Sequence, residues 1–161
     1  MRGLAGNLLS FLRSQPVLSE AHSSDAGALA ALHAASFHRA WSESEFAALL
    51  AERNIVAHCA RIGRTPVGFI LSRMVAGEAE ILSVAVAAAR RGKGLGRQLL
   101  DLHLRRLAGL GVHAVFLEAA EDNWPARALY RRAGFRDVGR REGYYDAGKG
   151  VAALILRRDL A

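Results

Sequence analysis

The segment Arg90-Arg91-Gly92-Lys93-Gly94-Leu95-Gly96-Arg97 constrains this chain more than any other. It lies between a β-forming run, Glu78 to Val86, and a run with apolar residues near helical period, Leu95 to Leu110. It therefore reads as a strand-to-helix turn. Glycines there let the backbone approach a ligand, and the first helical N–H groups are unpaired donors at the positive end of the helix dipole. Arg91, Lys93 and Arg97 add side-chain charge at the same end. A pyrophosphate suits such a turn. The turn is not a Walker A loop, which needs Gly-Lys-Ser/Thr, and it does not follow the first strand as a dinucleotide fingerprint would. Taken alone, it is equally well a plain connection with surface arginines.

The rest of the chain bounds the fold. A length of 161 residues supplies one core, so residues 1–161 read as a single domain with residues 1–14 as an N-terminal extension. Hydrophobic residues at 52% against 23% charged exclude a disordered chain. No apolar run approaches the roughly 20 residues of a membrane span. Met1 to Leu12 is broken by Gly6, Asn7 and Ser10 and lacks an A-x-A site, so an amphipathic turn docked on the domain is expected there in place of a signal peptide. Cys59 is the only cysteine and sits in a strand-like run. It is expected to be a buried, inert thiol, which suits a reducing cytoplasm. The six histidines show no ligand spacing, so no metal is expected. The net charge of +7 suits a nucleic acid, a ribosome surface or a polyanionic cofactor, and charge alone does not choose among them.

Along the chain, Pro16 to Ala21 reads as a first strand. Ser24-Asp25 is expected to cap a helix bearing Leu29, Leu32 and Ser36 on one face. Ser42-Glu43-Ser44-Glu45 has the pattern of a capping box before Phe46, Leu49 and Leu50. Asn54 to Ile62 and Pro66 to Val75 form a hairpin about Gly63-Arg64-Thr65, followed by the strand ending at Val86. Val112 to Ala119 is a buried strand. Asn123 to Ala133 is a helix with an Asn cap, Pro125 in its first turn and Gly134 at its stop. Phe135 to Arg141 and Val151 to Arg158 are the final strands. The order β-α-α-β-β-β-α-β-α-β-β is an α/β, mixed α+β arrangement.

Two motifs in order carry a family likeness. Arg91-Gly92-Lys93-Gly94-Leu95-Gly96 matches Q/R-x-x-G-x-G/A, and Asn123 to Phe135 matches N-x-x-A-x-x-L-Y-x-x-x-G-F in full. The chain resembles the GNAT acetyltransferases over roughly residues 15 to 160. The resemblance implies a twisted, mostly antiparallel mixed sheet of about six to seven strands flanked by about four helices. It also implies acetyl-CoA as cosubstrate, with no metal. Trp41-Ser42-Glu43, Leu117-Glu118 and Arg140-Arg141-Glu142-Gly143-Tyr144-Tyr145 are most similar to bacterial ribosomal-protein alanine N-acetyltransferases. That likeness implies a protein N-terminus as acceptor, in the cytoplasm, with no membrane partner. Gly92 and Lys93 depart from the larger residues usual in the turn, and Trp124-Pro125 from the small residues usual after Asn123.

The resemblance also implies roles. Glu118 is the base for the acceptor amine and Tyr130 the acid for the departing coenzyme A sulfur. Arg91, Gly92, Lys93, Gly94, Leu95, Gly96 and Arg97 hold the pyrophosphate. Val84 and Val86 pair their backbone with pantetheine, and Asn123 contacts the same arm. Trp41, Tyr144 and Tyr145 frame the acceptor. Two other readings stay open at this point. One is a GNAT enzyme acting on a small amine, a lysine side chain or an aminoacyl-tRNA. The other is a non-catalytic module that binds coenzyme A or RNA.

Overall fold

The computed structural model describes residues 15–145 and 150–160, the side chains of residues 144 and 145 excepted. The expected extension over residues 1–14 lies outside the described residues. Strand β1 is Val17–Glu20, and a 3₁₀ turn, Ser23–Asp25, leads into helix α1, Ala26–Ser36. Helix α2 is Glu43–Ala51, followed by β2 (Ile55–Ile62), β3 (Thr65–Val75) and β4 (Glu78–Val86). Helix α3 is Leu95–Gly109, β5 Ala114–Ala120, α4 Trp124–Arg132, β6 Arg136–Tyr145 and β7 Val151–Asp159.

The strands make one sheet in the order β1-β2-β3-β4-β5-β7-β6. Each neighbouring pair is antiparallel except β4 with β5. Because side chains alternate across a sheet, β3 serves two cores at once. Ile70 joins Leu99, Leu104, Leu117, Tyr130 and Leu156 under α3 and α4. Phe69 and Leu71 join Leu29, Phe46, Cys59 and Ala85 under α1 and α2. No helix among the described residues is long and apolar enough to cross a membrane.

The local signals at helix ends act as chemistry requires. Ser42 Oγ accepts from the Glu45 N–H at 3.1 Å, and the Ser42 N–H donates to Glu45 Oε2 at 2.6 Å, closing the capping box of α2. Ser24-Asp25, however, does not cap α1. The Asp25 side chain is taken by the His22 N–H at 2.7 Å and by the Arg61 guanidinium at 2.6 and 2.7 Å. A bidentate charged pair outweighs a single cap bond, and the chain enters α1 through a 3₁₀ turn instead. The Arg61 hydrogen bonds hold the Asp25 carboxyl below its ordinary range. Strand β6 also runs to Tyr145, beyond the expected Arg141, because β7 lies alongside and two register shifts absorb the mismatch.

Three polar side chains lie inside the core beneath α3. His58 Nδ1 and His103 Nδ1 are 2.8 Å apart, and Ser72 Oγ is 2.6 Å from His103 Nε2. All three residues are buried. Burial disfavours the imidazolium, and His103 is held neutral, its pKa pushed down to about 3.

Candidate active site

The site begins with an irregularity in β4. Leu71 faces Ser83 and Ser72 faces Ile81, so Leu82 is an extra residue, a β-bulge. A bulge bends its strand and increases its twist. The parallel ladder between β4 and β5 runs from Glu78↔Ala114 to Ile81↔Leu117 and stops there. Beyond it β5 continues through Ala120 beside β7, while β4 continues through Val86 beside β3. Two strands that start side by side thus part at the bulge. Among the described residues, the edge of β4 from Ser83 to Val86 that faces β5 has no strand paired to it. It can pair with an extended ligand as a strand would. Val84 and Val86 stand on that edge, their side chains packed against the α3/α4 core.

The glycine turn stands at the far end of the same strand. Gly92 has φ +74° and Gly94 φ +82°, the left-handed region that disfavours side chains, and Gly94 is the N-cap of the 15-residue α3. A Cβ built on either glycine would meet nothing within 4 Å, so the space above the turn is open. Lys93 is exposed there. Arg91 braces the turn: its Nε donates to the Val86 carbonyl at 3.0 Å, and a terminal nitrogen to Ser36 Oγ at 3.2 Å. Arg97 pairs with Asp101 one helical turn on, at 2.9 Å. The turn's donors are therefore the amides of Gly92 to Gly96 at the start of α3. Arg91 and Arg97 add their field from sites already bonded to protein.

Glu118 and Tyr130 lie on opposite sides of the sheet. Leu117 belongs to the α3/α4 core, so Glu118, its neighbour in the strand, projects to the α1/α2 face. The Glu118 side chain is 22% exposed, and Arg141 of β6 donates to its Oε1 at 2.7 Å. Tyr130 lies in the α3/α4 core, its ring centroid 5.8 Å from that of Phe135. The carboxylate thus stands on the α1/α2 face one residue past the end of the β4–β5 ladder, and the Tyr130 ring lies on the other face of the sheet. Asn123 caps α4, with Oδ1 accepting from the Ala126 N–H at 3.3 Å. Its amide NH₂ donors are not used by that cap.

Trp41 packs inward. Its ring stacks on His33 at 4.6 Å, and its backbone N–H donates to His33 Nδ1 at 3.1 Å. Trp124 is instead 65% exposed at the start of α4, with the Arg127 guanidinium 4.3 Å from its ring centroid. Tyr144 and Tyr145 end β6, and their side chains lie outside the described residues. Ser36 and Ser83 lie outside the sequence motifs, and the Arg140-to-Tyr145 motif gave no sign that Arg141 pairs with Glu118. Each meets its neighbours through pairing or packing between distant segments, which local patterns do not encode.

The mixed sheet thus parts between β4 and β5, with a basic glycine turn at the end of one lip and Glu118 on the other. Residues 26–135 match the Acetyltransferase (GNAT) family, and the chain belongs to that family. It is 42% identical over 104 residues to N-alpha-acetyltransferase RimI of Mycobacterium tuberculosis, covering 62% of this chain and 63% of that one. It is 32% identical over 116 residues to the [Ribosomal protein bS18]-alanine N-acetyltransferase of Escherichia coli K12, covering 72% of this chain and 78% of that one. The crystal structure of the ribosomal-protein-S18-alanine N-acetyltransferase from Escherichia coli superposes with a TM-score of 0.84 at 26% identity. That superposition covers 91% of this chain and 94% of the other. The chain spans 22% of an uncharacterised Mycobacterium leprae protein to which it is 45% identical over 82 residues.

Proposed function

We propose that this enzyme acetylates the N-terminal α-amine of a protein, alanine first, with a ribosomal protein as acceptor and the cytoplasm as its place of action. The observation that carries the reading is the division of Glu118 and Tyr130 across the two faces of the parted sheet. It allows the acceptor to enter from the α1/α2 side while a thioester lies along β4 from the glycine turn. Similarity to relatives named for an N-terminal alanine supports the choice of acceptor.

The residues present fit acetyl-CoA. The amides of Gly92 to Gly96 hold its pyrophosphate at the positive end of α3. Lys93 adds charge, while Arg91 and Arg97 add field. The backbone of Val84 and Val86 pairs with the pantetheine arm, and the Asn123 amide donates to it. The cosubstrate supplies an activated carbonyl carbon. Glu118 takes the proton of the attacking amine, whose pKa near roughly 8 demands only a modest base. As the N–C bond forms and the C–S bond breaks, the Tyr130 hydroxyl gives its proton to the departing sulfur. Trp41, through its stack on His33, shapes the wall of the acceptor side, and the family resemblance alone assigns Tyr144 and Tyr145 to the acceptor.

The test offers acetyl-CoA with two peptide sets, one starting with free Ala and one blocked at the N-terminus but carrying free lysines. Mass spectrometry should find acetyl on the α-amine of the first set. Robust lysine acetylation without α-amine product would replace this reading with a side-chain acetyltransferase.

A further inference from the structure

Ser83 is buried to 7% exposure, and its hydroxyl has no hydrogen-bond partner. Its strand partner Leu71 and its neighbour Ala85 are apolar members of the α1/α2 core. A buried hydroxyl left unbonded in such surroundings costs stability, so its presence asks for a reason outside the fold. Its position supplies one. Ser83 follows the bulge at Leu82, on the lip of β4 where the ladder to β5 has just ended. It shares a sheet face with Leu71, and Glu118 lies on that same face of the opposite lip. The thioester's acid, Tyr130, is on the other face.

Neighbouring strands stand roughly 4.8 Å apart, and here they are diverging. Ser83 Oγ has no hydrogen-bond partner and Glu118 is bonded to Arg141, so a small donor entering between the lips finds an acceptor on each. A neutral primary amine has the matching form: two N–H groups and one lone pair. We infer that Ser83 Oγ is a second acceptor for the substrate amine. One N–H is bonded to Ser83, the other to Glu118, and the lone pair is thereby aimed at the thioester carbon. This inference rests on the α-amine reading above. It adds a specificity: a secondary amine has only one N–H and must forfeit one of the two acceptors, so the site selects primary amines.

The test compares an Ala peptide with its N-methyl-Ala counterpart in wild type, Ser83→Ala, Ser83→Cys and Ser83→Thr. Wild type should prefer the primary amine strongly. Ser83→Ala should lose about tenfold in kcat/KM for the Ala peptide, the worth of one hydrogen bond. It should change the N-methyl substrate far less, so that the preference ratio falls. Ser83→Cys, a weak acceptor, should follow alanine, and Ser83→Thr should follow wild type. The KM for acetyl-CoA should not move in any variant. The melting temperature of Ser83→Ala should stay level or rise, the reverse of what a purely structural serine would give. An unchanged preference ratio in active Ser83→Ala overturns the inference while leaving the α-amine reading intact. Failure of wild type on the Ala peptide overturns both.

Discussion

His58 and His103 face each other in the core through their Nδ1 atoms, 2.8 Å apart. Only one of the two can carry the shared proton, so the pair is stable when both rings are neutral. The folded-state pKa values of both are depressed, that of His103 to about 3 by burial first and by the neighbouring His58 second. The unfolded chain takes up protons near the ordinary imidazole value of 6.5, whereas the folded chain does not. Stability is therefore fully present above that value and is lost as pH falls from it toward the folded value. The slope is up to about 1.4 kcal/mol per pH unit for His103 alone. Between about pH 7.5 and pH 5 the melting temperature should drop by roughly 4–8 °C, before carboxylates begin to titrate. A flat melting curve over that range would show that the two rings do not stay neutral in the fold.

The turn before α3 should be intolerant at Gly94. Glutamate there must adopt φ +82° and places a negative charge at the helix start where a phosphate would bind. Coenzyme A affinity measured by calorimetry should fall by about 10²-fold or more while the circular dichroism spectrum is retained. An unchanged affinity would remove the turn from the cosubstrate site.

Tyr130→Phe and Glu118→Gln separate the two proton transfers. The phenylalanine keeps the ring against Phe135 and removes only the hydroxyl, so kcat should drop about 10²-fold with acetyl-CoA binding preserved. Glu118→Gln should fall similarly near neutral pH and recover in part at higher pH, where the amine is already neutral. Steady-state rates across pH check both. Full activity in Tyr130→Phe would mean that the leaving thiolate takes its proton elsewhere.

Cys59 is fully buried in the α1/α2 core, and burial raises its thiol pKa. It should be inert toward Ellman's reagent in the native protein and react once in denaturant. Cys59→Ala should keep activity near wild type, because the transfer proposed above is direct and makes no use of the thiol. Loss of activity in a folded Cys59→Ala protein would point to an acetyl-cysteine intermediate.

Much of this was readable along the chain because the signals are local. The capping box at Ser42 and Glu45, the stop at Gly134 and the strand Glu78–Val86 lie where their short-range chemistry puts them. Contacts between distant segments were not readable. No glycine or proline marks the bulge at Leu82, whose register is set by β3 and by the end of the β5 ladder. Asp25 carries the local signature of a cap, yet Arg61, from another strand, claims it. Arg91 has the look of a phosphate ligand in the motif and serves as a brace between Val86 and Ser36. The partners Arg141–Glu118 and His58–His103 meet only once the sheet has formed.

The brevity of the β4–β5 ladder has a consequence for how the molecule assembles. Strands β1 to β4 are joined by connections between sequence neighbours, and β5, β7 and β6 form a second set. Four residue pairs hold the two sets together along the sheet, and they join segments separated by the whole of α3. Contacts between sequence neighbours form early, and a parallel join that spans a helix forms late. The sheet therefore has a seam, and the amides along it should exchange with solvent sooner than those of β3. The candidate cleft is then expected to be the part of the protein built last and loosened first.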